Sequence, residues 1–255
     1  MGTKRENGSL YTRIDNKVAT VEFGHPASNS FVAELLDRLT SELHKLSENQ
    51  DISVIVLKSE GDRAFCGGAS FTELMAITNL DEGRVFFSGF AHVINAMRSC
   101  KKLIIGRVQG KTVGGGVGLA AACDYVFASE NAAVRLSELS IGIAPLVIAP
   151  AVERKIGKAA LAELSLAPSE WKNAYWAKEK GLFAKVFSSL EDMDKELEFF
   201  AMKLAAYNPK ALSEWKKVLW EGTDNWDQLL SDRAAITGTL VLSEFTKNAL
   251  SKFKK

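Results

Sequence analysis

Two glycine-rich turns carry the residues of this chain whose types and spacing could do chemistry. Cys66-Gly-Gly-Ala-Ser70 and Val113-Gly-Gly-Gly-Val117 each follow an apolar run that reads as a buried strand. Glycine lets the backbone take turns that present N–H groups. The second turn opens the small-residue segment from Val117 to Cys123, read as a helix whose first amides would carry partial positive charge. Two such amides converging on one point stabilise an oxygen as it gains negative charge, which is an oxyanion hole. The same glycines would equally serve to let helix pack on strand, and spacing leaves both readings open.

Other motifs point to less. Gly110-Lys111-Thr112 looks like the end of a phosphate loop, but Ile105 stands where that loop needs its first glycine. Gly116-Val-Gly118-Leu-Ala-Ala121 satisfies a dinucleotide-binding pattern only weakly, because Gly110 to Gly115 separate it from the preceding strand. Serine hydrolysis lacks its G-x-S-x-G turn, and the histidines are His25, His44 and His92. His44 falls within an amphipathic helical pattern and reads as a surface or packing residue. His92, among Phe86, Phe90, Val93 and Met97, reads as an ordinary core or boundary residue. No cluster of His, Cys and acid has ligand spacing, so no catalytic metal is expected.

The elements that must hold the turns follow from periodicity. Leu10 to Asp15 and Val18 to Phe23 flank Asn16-Lys17 as a hairpin. Phe31, Leu35, Leu36, Leu39, Leu43 and Leu46 recur at helical spacing, and Ser53 to Lys58 is a β-branched strand leading into the first glycine loop. A second cycle runs through a helix over 81–98, a strand over 103–109 and the second glycine turn. Short strands are expected at Tyr125–Ala128 and Ala133–Val134. From about Ala149 the pattern is almost wholly helical, with helices near 151–166, 169–180, 190–206, 209–220 and 226–253. An α/β core over 1–195 therefore precedes a helical region over 196–255.

Composition sets the class. The 255 residues are 47% hydrophobic and 25% charged, with 32 basic against 31 acidic side chains, so no net field favours nucleic acid or a membrane surface. Cys66, Cys100 and Cys123 are an odd number without CxxC spacing, which fits a reducing compartment. The first 17 residues have no apolar stretch, and no run reaches 18 apolar residues, so the expected location is cytoplasmic.

These segments also carry a resemblance. Val54-Ile-Val-Leu57 with Ala64-Phe-Cys-Gly-Gly-Ala-Ser-Phe71, then Val108 through Asp124, then Leu136-Ser-Glu138 with Ile141-Gly-Ile143 and Pro145, are together similar to the crotonase superfamily of enoyl-CoA hydratases and isomerases. The likeness runs from about Val18 to Phe187. It implies a ClpP/crotonase-like α/β core of repeated ββα turns and a C-terminal region that trimerises into a homotrimer or dimer of trimers. It also implies acyl-CoA thioester substrates, with no cofactor beyond the CoA the substrate carries.

Position by position, the resemblance places oxyanion amides on Ala69 and Gly115 and a general acid or base on Glu138. Such an acid works when apolar surroundings raise its pKa, and Leu136, Leu139 and Ile141 are its neighbours in sequence. Ala27, Gly67, Ser70, Phe71 and Val113 are the expected lining of the CoA and pantetheine path. Several departures bear on the reaction. A second glutamate of the hydratases falls on Gly118, which has no side chain to hold water. Leu146 and Val147 replace a glycine-rich stretch, Ser70 replaces an Asp, and Thr72 replaces a basic residue near CoA phosphate. That phosphate contact is expected from Lys111 or the C-terminal lysines. One carboxylate suits an isomerase, which moves a proton between Cα and Cγ. The alternatives are a hydratase of a short or branched enoyl-CoA using Ser137 or Ser140 to place water, and a non-catalytic acyl-CoA-binding scaffold. All five tryptophans fall late in the chain, where they would serve subunit contacts or the core.

Overall fold

The computed structural model describes residues 6–252. The chain opens with β1 (Ser9–Asp15) and β2 (Val18–Gly24), an antiparallel hairpin. Asn16 and Lys17 at its tip both have positive φ, 48° and 63°, the pairing that matches strand twist in a two-residue turn. Helix α1 (Ala33–Glu48) then buries Leu35, Leu36, Leu39, Leu43 and Leu46 to 1% exposure or less. Each such leucine contributes roughly 1.5–3 kcal/mol.

Repeated ββα units follow. β3 (Val54–Ser59) leads to β4 (Ala64–Cys66) and the helices α2 (Phe71–Ala76) and α3 (Leu80–Ser99). β5 (Leu103–Val108) leads to β6 (Lys111–Val113) and α4 (Gly115–Ala122). β7 (Tyr125–Ser129) leads to β8 (Ala133–Arg135), a 3₁₀ turn over Glu138–Ile141, and α5 (Ala149–Leu166). In each unit the first strand joins one sheet and the second joins another. The large sheet runs β1-β2-β3-β5-β7-β10 and the small one β4-β6-β8-β9. Because β3, β5 and β7 pair in parallel, their C-terminal ends lie together, and β4 and β6, which follow β3 and β5 and pair in parallel in the small sheet, carry the two glycine turns at their own C-terminal ends.

The remaining elements are β9 (Lys172–Asn173), α6 (Ala174–Glu179), β10 (Lys185–Phe187), α7 (Leu190–Ala205), α8 (Pro209–Leu219), α9 (Trp226–Leu240) and α10 (Glu244–Ser251). Three expectations need correction. The segment 169–180 is not one helix: Lys172 and Asn173 pair with β8 before Asn173 caps α6. The region after 149 contains β10, which pairs with β7 and completes the large sheet. The helix expected over 226–253 breaks at Val241–Ser243, where the Ser243 hydroxyl accepts from the Thr246 amide and starts α10, while residue 253 lies outside the described residues. The boundary at 195 falls inside α7, which covers the large sheet with Met193, Leu197, Ala201 and Ala205 packed on Val54, Val56, Ile105 and Phe127.

The late helices dock on their own core. α9 crosses α3 where Gly83 meets Gly238; a Cβ on Gly83 would stand 2.7 Å from the Gly238 carbonyl oxygen, so glycine is needed for the approach. α8 is anchored by Lys216, only 2% exposed, whose Nζ donates to Asp124 Oδ2 at 3.0 Å and to the Lys102 carbonyl at 2.9 Å. Trp220 Nε1 donates to the other Asp124 oxygen at 2.7 Å. Trp220 and Trp226 stack edge to face at 5.8 Å and are buried within the chain, whereas Trp171 and Trp215 are exposed. Two of the five tryptophans are therefore buried in the core, and Trp176, half-buried, packs against it.

Candidate active site

The first glycine turn is clamped by short hydrogen bonds. Phe31 N donates to the Gly68 carbonyl at 2.8 Å and Ser70 N donates to the Phe31 carbonyl at 2.7 Å, a parallel bridge opposite Ala69. In such a bridge the middle residue points its own N–H away from the partner, so the Ala69 amide is turned from Phe31. The loop behind it is fixed by Asn29, whose Nδ2 donates to the carbonyls of Glu60 and Ala64 at 2.8 and 2.9 Å. Gly67 N donates to the Ser28 carbonyl at 2.9 Å.

The second turn begins at Gly114, where φ is 53°, and its amide donates to the Arg135 carbonyl at 3.0 Å. Gly115 is then the first residue of α4, so its N–H has no acceptor within the helix. Gly115 must lack a side chain because the Phe90 ring lies where its Cβ would be. The turns meet: a Cβ on Gly68 would stand 3.2 Å from the Val113 carbonyl oxygen and 3.9 Å from the Gly115 nitrogen.

Glu138 closes the arrangement from the 3₁₀ turn after β8. Its Oε1 lies 2.9 Å from where a Gly114 Cβ would be, and its Oε2 is buried with no hydrogen-bond partner among the described residues. The residue is half-buried as a whole, but the carboxyl end is enclosed, and this desolvation raises its pKa to about 7. An acid in that range holds or releases a proton near neutrality. Cys66 and Cys123 behave oppositely for nucleophilic chemistry: burial pushes both thiols up to about 12, which keeps them protonated.

A cavity of about 520 Å³ joins these parts. Of the residues expected from sequence, Ala69, Gly115, Glu138, Gly67, Phe71 and Val113 all line it. Ala27 and Ser70 do not. The Ser70 side chain is spent on capping α2, accepting from the Glu73 amide at 3.3 Å, and Ala27 is exposed at the outer side of Gly67. Ser137 and Ser140 both line the cavity, with the Ser140 hydroxyl donating to the Ser137 carbonyl at 2.6 Å. Lys111 is exposed and stands 5.2 Å from the Trp171 ring; of the C-terminal lysines, Lys254 and Lys255 lie outside the described residues.

Three contributors were not legible in the sequence. Ile148 fills the space beside Gly118: a Cβ there would lie 2.5 Å from Ile148 Cγ2. Leu74, Met75, Phe87 and Phe90 make an apolar wall, foreshadowed only by helical spacing. Arg135 brings a second charge into the cavity. Among the described residues no group of His, Cys, Asp and Glu could hold a metal, and no helix is long and apolar enough to cross a membrane.

Comparison with known proteins decides what the arrangement belongs to. The sequence profile of the family described as enoyl-CoA hydratase/isomerase matches residues 13–249. The chain belongs to that family. It is a crotonase-superfamily enzyme acting on acyl-CoA thioesters. It is similar to the (E)-benzylidenesuccinyl-CoA hydratase of Thauera aromatica, 31% identical over 83% of this chain and 82% of the relative. It is also similar to the peroxisomal Delta(3,5)-Delta(2,4)-dienoyl-CoA isomerase of Arabidopsis thaliana, 28% identical over 88% of this chain and 84% of the relative. The crystal structure of enoyl-CoA hydratase from Bacillus halodurans shares the fold, with a TM-score of 0.88 at 20% identity over 95% of this chain and 99% of that one. Hydratases and isomerases thus stand side by side among its relatives, and the site residues must separate the two reactions.

Proposed function

We propose that this family member isomerises a double bond in an enoyl-CoA, using the amides of Ala69 and Gly115 as an oxyanion hole and Glu138 as its single acid and base. The Glu138 carboxyl carries the reading: it is enclosed, unpartnered at Oε2 and poised at about 7 beside the second turn. In a 3-enoyl thioester the carboxylate takes a proton from Cα. The electron pair moves to the thioester oxygen, which the two amides stabilise. The protonated carboxyl then returns the proton to Cγ, the double bond moves into conjugation, and no water is consumed. Each amide contributes on the order of 10²–10³ in rate.

Gly118 favours this over hydration. Adding water across a double bond requires a group to hold and activate the water, and the place of a second acid is occupied by the Ile148 side chain. The Ser140 hydroxyl is committed to the Ser137 carbonyl, which leaves it a poor substitute. The apolar wall of Phe87, Phe90 and Met75 suits a hydrocarbon acyl chain next to the thioester. Exposed Phe199, Met202, Tyr207 and Trp215 on α7 and α8 and in the loop between them support assembly of the helical region into a homotrimer, which sedimentation checks against three chain masses.

A thioester screen tests the reaction. Incubating 3-enoyl-CoA and 2-enoyl-CoA of several chain lengths should give conjugated product from the first, read by its absorbance, and little loss of conjugation from the second. Faster hydration than isomerisation would refute the assignment. Absence of turnover with retained thioester binding would favour a scaffold.

A further inference from the structure

Two charged side chains line the candidate cavity, Glu138 and Arg135, and they do not pair with each other. Four buried side-chain polar atoms among the described residues lack a hydrogen-bond partner, and two of them are Oε2 of Glu138 and Nε of Arg135. Such atoms are costly to leave unmet, so a cavity that concentrates them is built for something that meets them. Among the described residues the Arg135 guanidinium has no hydrogen bond or ion pair, and it lies over the Trp171 ring, 4.5 Å from its centre. Stacking holds the planar fork in place while its N–H groups stay available.

Position narrows the chemistry. Arg135 pairs with Val113 across β6 and β8, which puts both side chains on the face that lines the cavity. Its carbonyl accepts from Gly114 N at 3.0 Å, so the guanidinium hangs within one side-chain length of the turn that would hold the thioester oxygen. The phosphates of a bound CoA lie at the far end of its pantetheine arm. An anion this close to the thioester belongs to the acyl group.

We propose that Arg135 receives an anionic oxygen of the substrate, and that the substrate class is a CoA thioester whose acyl chain carries a second carboxylate. This rests on the cavity being the acyl site of the reaction proposed above. A carboxylate matches the guanidinium fork in two parallel hydrogen bonds, which adds direction as well as affinity.

Binding of adipoyl-CoA and hexanoyl-CoA, which differ only in the terminal carboxylate, tests the assignment by calorimetry without any turnover. The wild-type protein should prefer adipoyl-CoA by about tenfold to a hundredfold. Arg135→Gln should cancel that preference, and Arg135→Lys, which keeps the charge without the fork, should restore part of it. The same pattern should appear with the pantetheine thioesters, which carry no phosphate. An equal loss for both acyl groups, no wild-type preference, or an effect present with CoA and absent with pantetheine would overturn the proposal. In parallel, 3-hexenedioyl-CoA and 3-hexenoyl-CoA are assayed for conjugation. If neither is isomerised while the adipoyl preference stands, the proton-transfer reading falls and the anion site survives; if only the preference is missing, the reverse holds.

Discussion

Replacing Glu138 with Gln should make the folded protein more stable, by an amount that depends on pH in a defined direction. The carboxyl titrates at about 7 in the folded chain against an ordinary value of 4.5, because burial disfavours its charged form. A raised acid pKa means the folded state holds the proton longer than the unfolded state. Below 4.5 both states are protonated and the group costs nothing. Between 4.5 and 7 the unfolded chain gains by ionising while the folded chain does not, and stability falls as pH rises. Above 7 the full difference is reached, about 3 kcal/mol at roughly 1.4 kcal/mol per pH unit. Gln keeps the shape and never ionises. Urea denaturation of both proteins at pH 5 and pH 8 should show the stability of the variant relative to wild type growing by about 2.5 kcal/mol between the two. A gap that does not change with pH would mean that the carboxyl is hydrated, and the reasoning from its enclosure would fail.

Other consequences are open to direct measurement. Proton abstraction needs the carboxylate, so kcat/KM should rise with pH through an inflection near 7; an inflection near 4.5 would show an exposed acid. Gly118→Glu should destabilise the fold by about 1–3 kcal/mol through collision with Ile148 and add no hydration, whereas Gly118→Glu with Ile148→Gly makes room for the acid and should yield measurable hydration, followed as loss of conjugated absorbance. Lys216→Met strands the buried Asp124 carboxylate and should cost about 3–5 kcal/mol in urea melts.

The parts of the fold legible in the sequence are those fixed by local pattern. Alternation around Asn16-Lys17 and the leucine spacing of α1 each depend on one segment, and both elements form where the residues place them. β9 and β10 escaped because two or three residues carry no periodicity; they are strands only because β8 and β7 offer open edges. The same limit applied at the site. Ala69, Gly115 and Glu138 could be named only through the family resemblance of the ordered motifs, and all three line one cavity. Ser70 could not be separated from the cavity wall without seeing its hydroxyl cap α2. Arg135 and Ile148 gave no signal either, since an arginine ending a short strand and an isoleucine ahead of a helix become informative only when the cavity and the crowding at Gly118 are known.

The claim that one carboxylate carries the proton is tested most directly by turnover of Glu138→Gln on whichever 3-enoyl-CoA the wild-type enzyme conjugates. Losing the acid–base group should lower kcat by at least about 10²–10⁴ while the affinity for the saturated thioester of the same chain stays within a few-fold. Turnover within tenfold of wild type would contradict the account.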